Sequence, residues 1–298
     1  MAILGLVREF KASHGTKDVK ETSFNVEVAL EGRLEGDFVR GVDYDVLSKE
    51  LSKVIESLDK KYLDDIVGRA TIENIACYIL FHMRNKQISS VKVSEDNGQY
   101  VSVFSQDIPD NYEARLFFNR GASNLVRRKF NQAIREFNEA LRTEPNTAEI
   151  YNCLGRCHKF LKNYDLALIE FSRAVEIKPD FGEAFRNRGN IRYSLGQFNL
   201  MMADFNQAVC LMPFSALAYN NRGFAHQHFR NYEEAVKDHL KAIELDPSYA
   251  EAYLDLAKAY NALGQMIHAR KNYAIGKELE KSQDPFEIER KKIVFPFS

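Results

Sequence analysis

The sequence predicts two folds in one chain. An α+β domain of ββααββ order occupies residues 1–108, and an all-α solenoid of five helix pairs occupies residues 114–283. Three observations lead there. Pro145, Pro179, Pro213 and Pro247, with Gly121, Gly155, Gly189 and Gly223, recur every 34 residues, and a fixed period of that length marks stacked repeat units. Stretches such as FNVEVALEG alternate apolar and polar residues as half-buried strands do. VDYDVLSKELSKVIES instead places Val46, Leu47, Leu51, Val54, Ile55 and Leu58 at helical spacing.

Composition narrows the function classes. With 298 residues, 45% apolar and 28% charged, the chain can bury two cores and stay soluble. Residues 1–110 carry 14 Lys+Arg against 19 Asp+Glu and the remainder 27 against 23, a net of −5 and +4. Neither half has the concentrated basic face of a nucleic-acid binder. No apolar run approaches the roughly 20 residues of a membrane span. The opening MAILGLVREFKASHG is charged too early for a secretion signal. Four cysteines without framework spacing fit a reducing compartment, so the expectation is a cytoplasmic protein.

Take Gly121 as position 8 of the first unit. Position 4 is aromatic throughout (Phe117, Tyr151, Phe185, Tyr219, Tyr253), and position 24 reads Phe137, Phe171, Phe205, His239, Tyr273. Position 20 reads Ala133, Ala167, Met201, Ala235, Ala269, and position 27 is Ala or Gly. Small residues let paired helices approach while aromatics fill the space beside them. Each proline ends the second helix of its unit. These columns resemble the tetratricopeptide repeat (TPR) in every unit. The fifth departs, with Ala257, Gly276 and Lys281 in the consensus slots. Residues 284–298 follow as a tail whose expected role is to cap the last unit, starting at Pro285 and ending on Ile293, Val294, Phe295 and Phe297.

The resemblance implies a concave groove lined by the first helix of each unit, binding a protein partner. Position 6 reads Asn119, Cys153, Asn187, Asn221, Asp255, similar to the asparagine ladder of some peptide-binding arrays. An amide donates and accepts, so such a column can pair with an extended peptide backbone. The expected groove residues are Asn119, Asn187, Asn190, Asn221, Arg186, Phe118, Arg156 and Phe224, joined by Lys159, Phe160, Tyr193, His228 and Lys258. Arg186, Asn190 and Asn221 match three positions of a carboxylate clamp, but Glu251 and Asp255 stand where its cations would be. Cys153, Cys157 and His158 have no second ligand pair, and His226 and His228 point apart on a helix, so no metal site is expected among them.

In the first domain, FKASH, SFNVEVALEG, GVDYDVLSKE, LDKKYLDDI, ATIENIACYI and VKVSED resemble, in order, motifs of the 6-pyruvoyl-tetrahydropterin synthase and 6-carboxytetrahydropterin synthase family. The resemblance implies the T-fold, with a hairpin turning at Asn97-Gly98, and oligomers, trimer or hexamer, closed through sheet edges. That family holds zinc through three histidines. Here His14 matches the first, while Lys20, Glu21 and Thr22 stand in the H-G-H slot. The family's catalytic cysteine has no counterpart in GTKDVKE, and its Asp-His pair reads Asp59-Lys60, so these two are vestigial. Zinc would need a site rebuilt around His14 with Glu21 or His82. Glu95, with Glu73 and His14, would line any retained pterin or purine pocket, since a carboxylate can bond an N–C–N edge bidentately.

The expectation is therefore a scaffold or adaptor with a pseudoenzyme domain for oligomerisation. Its rival is a pterin-related lyase, synthase or binding protein recruited to partners by its repeats. A short linker, residues 109–113, joins the two parts.

Overall fold

A computed structural model describes residues 6–14, 20–30, 34–35, 38–39, 44–58, 72–83, 88–95, 99–104 and 111–282. They fall into two compact units, one through Pro145 and one from Asn146.

In the first unit, β1 (Leu6–His14) and β2 (Lys20–Leu30) pair antiparallel, followed by a short hairpin, β3 (Leu34–Glu35) and β4 (Phe38–Val39). Helices α1 (Tyr44–Leu58) and α2 (Ile72–Met83) precede β5 (Ile88–Glu95) and β6 (Tyr100–Phe104). The main sheet runs β1-β2-β5-β6, all antiparallel. The expected ββααββ order is present, with the β3–β4 hairpin as an addition that its two-residue strands are too short to announce. The Asn97-Gly98 turn lies outside the described residues.

Alternation builds this core. Phe24, Val26 and Val28 on β2, and Val91 and Val93 on β5, are buried on one sheet face. Leu51, Ile55 and Leu58 of α1 and Ile75, Ala76, Ile79 and Met83 of α2 cover it, the i, i+3/i+4 pattern that turns one helix face inward. The register slips between Ala29 and Leu30, where β2 leaves its even pairing with β5.

The first repeat helix, α3 (Tyr112–Val126), joins this core. Tyr112 and Leu116 belong to the same buried cluster, and the Tyr112 ring sits 5.2 Å from Phe81 of α2. Burial drives the Tyr112 hydroxyl pKa far above its ordinary value. Helix α4 (Phe130–Thr143) pairs with α3 and completes the unit.

The second unit contains α5 (Ala148–Phe160), α6 (Tyr164–Ile177), α7 (Gly182–Ser194), α8 (Phe198–Leu211), α9 (Ala216–His228), α10 (Tyr232–Leu245), α11 (Ala250–Ala262) and α12 (Met266–Ser282). The position-8 glycines are explained by contact. A Cβ on Gly155 would lie 2.7 Å from the Phe171 ring, and on Gly189 2.5 Å from that of Phe205. Within the first unit Gly121 faces Phe137 in the same way at 2.6 Å. In the last pair the position-24 ring, Tyr273, is 55% exposed and does not press on its partner, so Ala257 fits there. Gly276 instead admits Leu254, 2.7 Å from where its Cβ would be.

Each helix pair turns through a residue at positive φ: Arg128, Lys162, Gly196, Arg230 and Gly264, all near +60 to +73°. Only two of these positions carry the glycine that this geometry favours.

Candidate functional site

The first helices of the repeats carry side chains that interact between neighbouring units. Asn221 Nδ2 donates to Asn190 Oδ1 at 3.1 Å, linking α9 to α7. Both residues are partly exposed, and beyond this bond Asn190 Nδ2 and Asn221 Oδ1 have no partner among the described residues. One donor and one acceptor are thus left side by side, the complement of a peptide unit.

Aromatic rings flank this pair. Tyr193 meets Phe224 edge-on at 4.8 Å between centroids, and His228 at 5.7 Å. His228 in turn lies 4.0 Å from Phe198 and 5.6 Å from Phe229. Tyr193 and Phe229 keep over a third of their surface exposed. Such a cluster offers apolar area together with ring edges for polar contact.

Other residues expected on the groove lie elsewhere. Asn187 is buried and donates to the equally buried Asn152 Oδ1 at 2.9 Å. Within position 6, Asn187 is thus interior while Asn221 stays partly exposed, and the exposed pair combines position 9 of one unit with position 6 of the next. Phe118 is fully buried, its ring 5.6 Å from Phe137, and Arg156 is also interior. Both are removed from solvent by the packing of the helices that carry them. Arg186 is largely covered and lies 3.9 Å from Glu183. Asn119 is half-buried on α3.

The cysteines of α5 are interior. Burial pushes the Cys153 thiol up to about 12 and raises that of Cys157 further, so both stay protonated and make poor ligands or nucleophiles. Among the described residues no three His, Cys, Asp or Glu side chains gather as a metal-binding group.

Two polar systems escaped the sequence reading. Position 7 pairs with position 23 across three of the five helix hairpins: Arg120 with Glu136 at 2.9 Å, Arg188 with Asp204 at 2.8 Å, Arg222 with Asp238 at 2.7 Å. Arg192 adds a second cation at 2.7 Å from Asp204. The signal was there in the recurring arginines of position 7 and acids of position 23. In the unit where Leu154 replaces the arginine, burial raises the Glu170 pKa. The second system surrounds His239, which stands where earlier units carry Phe. Its Nδ1 meets Asn220 Oδ1 at 2.7 Å and its Nε2 meets Gln227 Nε2 at 2.7 Å. Asn220 continues to Asp255 at 3.1 Å, and Asp255 to Lys258 at 2.7 Å.

In the first domain the backbone register places the family positions. His14 pairs with Lys20, Ser13 with Glu21, Ala12 with Thr22, and Phe24 with Glu95. Positions 14, 20, 22, 24 and 95 therefore share one sheet face, the face of buried Phe24, while Glu21 has opposite parity. The two slots beside His14 hold Lys and Thr, and Glu21 does not share its face. His82 is exposed at the end of α2, its Nδ1 2.9 Å from Tyr78 O. A lysine is cationic at neutral pH and a threonine hydroxyl is a poor zinc donor, so this set does not fit the family's three-histidine metal site. Glu73 lies in the first turn of α2; Asp59 and Lys60 lie outside the described residues.

Comparison with known proteins agrees with this division. The family model for 6-pyruvoyl tetrahydropterin synthase matches residues 8–106, and tetratricopeptide-repeat models match residues 118–181 and 231–264. Dihydroneopterin monophosphate aldolase of Pyrococcus furiosus is 30% identical over 89 residues, covering 28% of this chain and 76% of that protein. The structure of MamA from residue 41, of Desulfovibrio magneticus RS-1, superposes with a TM-score of 0.51 at 25% identity over 59% of this chain and 99% of that one. PilF of Pseudomonas aeruginosa shares the fold, with a TM-score of 0.53 at 19% identity over 57% and 78%. Through its first hundred residues the chain belongs to the 6-pyruvoyl tetrahydropterin synthase family, and it carries a tetratricopeptide-repeat array behind that domain.

Proposed function

We propose that the protein is an adaptor whose repeat array holds an extended peptide segment of a partner. The supporting observation is the Asn190–Asn221 pair, with an open donor and acceptor beside the Tyr193–Phe224–His228 cluster. The amides bond the peptide backbone and the rings take an apolar or aromatic side chain, so the pair sets register and the rings supply burial. The first domain serves assembly. Its sheet ends in two edges, β1 and β6, and edge pairing between copies closes a trimer or hexamer. Several arrays on one hub then gain avidity of roughly 10²–10⁴ when geometry permits. The donor set at His14, Lys20 and Thr22 favours this over the family's zinc chemistry.

Selection of a random peptide library on the full chain tests the reading. Peptides retained by the wild type should be lost by the Asn190→Ala/Asn221→Ala double variant, whose helix content stays unchanged. Equal retention by the variant would remove the amide pair from the account.

The register favours a second reading, a pterin- or purine-binding domain, because Glu95 shares a sheet face with His14. In that case a pterin binds the wild type and not Glu95→Ala, measured by calorimetry; no binding to either leaves the adaptor reading alone.

A further inference from the structure

The last helix pair leaves open a surface that every earlier pair of its unit has closed. Phe171, Phe205 and His239 at position 24 are fully buried, yet Tyr273 is 55% exposed. Met266 is 49% exposed and its neighbour Ile267 83%. Between α11 and α12, Met266 and Tyr273 help frame a groove of about 460 Å³. Its floor is Leu254, Ala257, Met266, Ala269 and Tyr273, and its rim carries Arg270 together with Lys258 and Lys277, which bond Asp255 and Glu280 at 2.7 Å each.

We propose that this groove is the docking site of the chain's own segment 284–289, with Phe286 and Ile288 on the apolar floor and Asp284, Glu287 and Glu289 against the basic rim. Three features select this occupant. The segment Asp-Pro-Phe-Glu-Ile-Glu alternates apolar and acidic residues, matching an apolar floor with cationic edges. Its cations, Arg290, Lys291 and Lys292, come only after it. The reach is also right. From Ser282 back to the level of Tyr273 is nine helical residues, about 14 Å. Four to six extended residues span about 14–21 Å, which brings Phe286 and Ile288 to the groove.

The covering acts on the last unit. A terminal repeat has a neighbour on one side only and opens first, so α12 depends on whatever lies over it. Docking also covers an array face that would otherwise accept another helix or the end of a second copy.

Hydrogen exchange read by mass spectrometry on the full chain tests this. In Phe286→Ser/Ile288→Ser, exchange in peptides covering residues 266–278 should rise at least about tenfold, while peptides from α5 to α8 stay unchanged. Deletion of residues 283–298 should reproduce the effect. Unchanged protection of 266–278 in both variants would overturn the proposal. A fall in native mass on the same substitutions would overturn it too, because the segment would then dock on a neighbouring copy.

Discussion

His239 Nδ1 lies 2.7 Å from Asn220 Oδ1, while His239 Nε2 faces the Gln227 amide nitrogen at the same distance. Only a neutral ring with its proton on Nδ1 satisfies both, since Gln227 Nε2 donates and also bonds Asp255 O at 2.8 Å. Protonation would set an Nε2–H against a donor.

This gives a pH dependence with a definite sign. Burial lowers the His239 pKa from 6.5 to about 4, so the unfolded chain takes up the proton first. The stability this group contributes is full above about pH 6.5 and is lost as pH falls toward 4, on the order of 3 kcal/mol in total. Denaturant midpoints between pH 7 and pH 4 should fall in the wild type and fall less in His239→Phe. A slope identical in both would exclude His239 as the source.

Gly189→Ala forces a methyl to within 2.5 Å of the Phe205 ring, which is itself fully buried. Overpacking of that kind costs typically 1–3 kcal/mol. Ala257, the equivalent position in the last unit, tolerates its methyl because Tyr273 has swung out. Urea midpoints should therefore drop for Gly189→Ala and change little for Ala257→Gly beyond the loss of helix propensity.

Asp204 is 3% exposed and receives Arg188 Nη2 at 2.8 Å and Arg192 Nη1 at 2.7 Å. Asp204→Ala strands two cations that are mostly covered, a change that costs about 3–5 kcal/mol when such a pair is buried. Thermal unfolding should show a clear loss. An unchanged midpoint would mean that solvent already shares these arginines.

Arg230 holds a φ of +60°, with Gly196 and Gly264 at +73° in the corresponding turns. Arg230→Gly should stabilise the array, because the left-handed conformation costs a residue with a Cβ roughly 1–2 kcal/mol and the greater chain entropy of glycine offsets only part of that. Differential scanning calorimetry reads the shift.

Tyr112 and Leu116 share the core of the first domain although they lie on the first repeat helix. A fragment ending at residue 108 should lose cooperative unfolding, while one ending at Pro145 keeps it. In the longer fragment Tyr112→Ala should cost about 3–5 kcal/mol, as large aromatic truncations do.

How much of this was legible depends on whether a feature recurs. The glycine, alanine and aromatic columns were readable because each unit repeats the same helix contact, as Gly189 and Phe205 show. The arginine–acid pairs recur as well, at positions 7 and 23, but went unread because their spacing of 16 residues matches no periodicity within one helix. Asn187 and Asn190 both read as groove residues because both fall on the first helix of a unit. Which of them faces its neighbour's interior depends on Asn152 and Asn221, residues from other helices. The role of His239 was unreadable for the same reason, since it rests on Asn220, Gln227 and Asp255 across two units. In the first domain the order of elements followed from alternation and helical spacing, and the register then showed which of the family slots share a face.

In the proposed function the first domain lacks the metal chemistry of its family and the chain works by binding through its repeats. Zinc content of the purified, untagged protein, grown with ample metal and measured by elemental mass spectrometry, tests this most directly. The account predicts essentially none. About one zinc per chain would contradict it, because three ligands would then have to be found around a site where the sequence offers His14, Lys20 and Thr22.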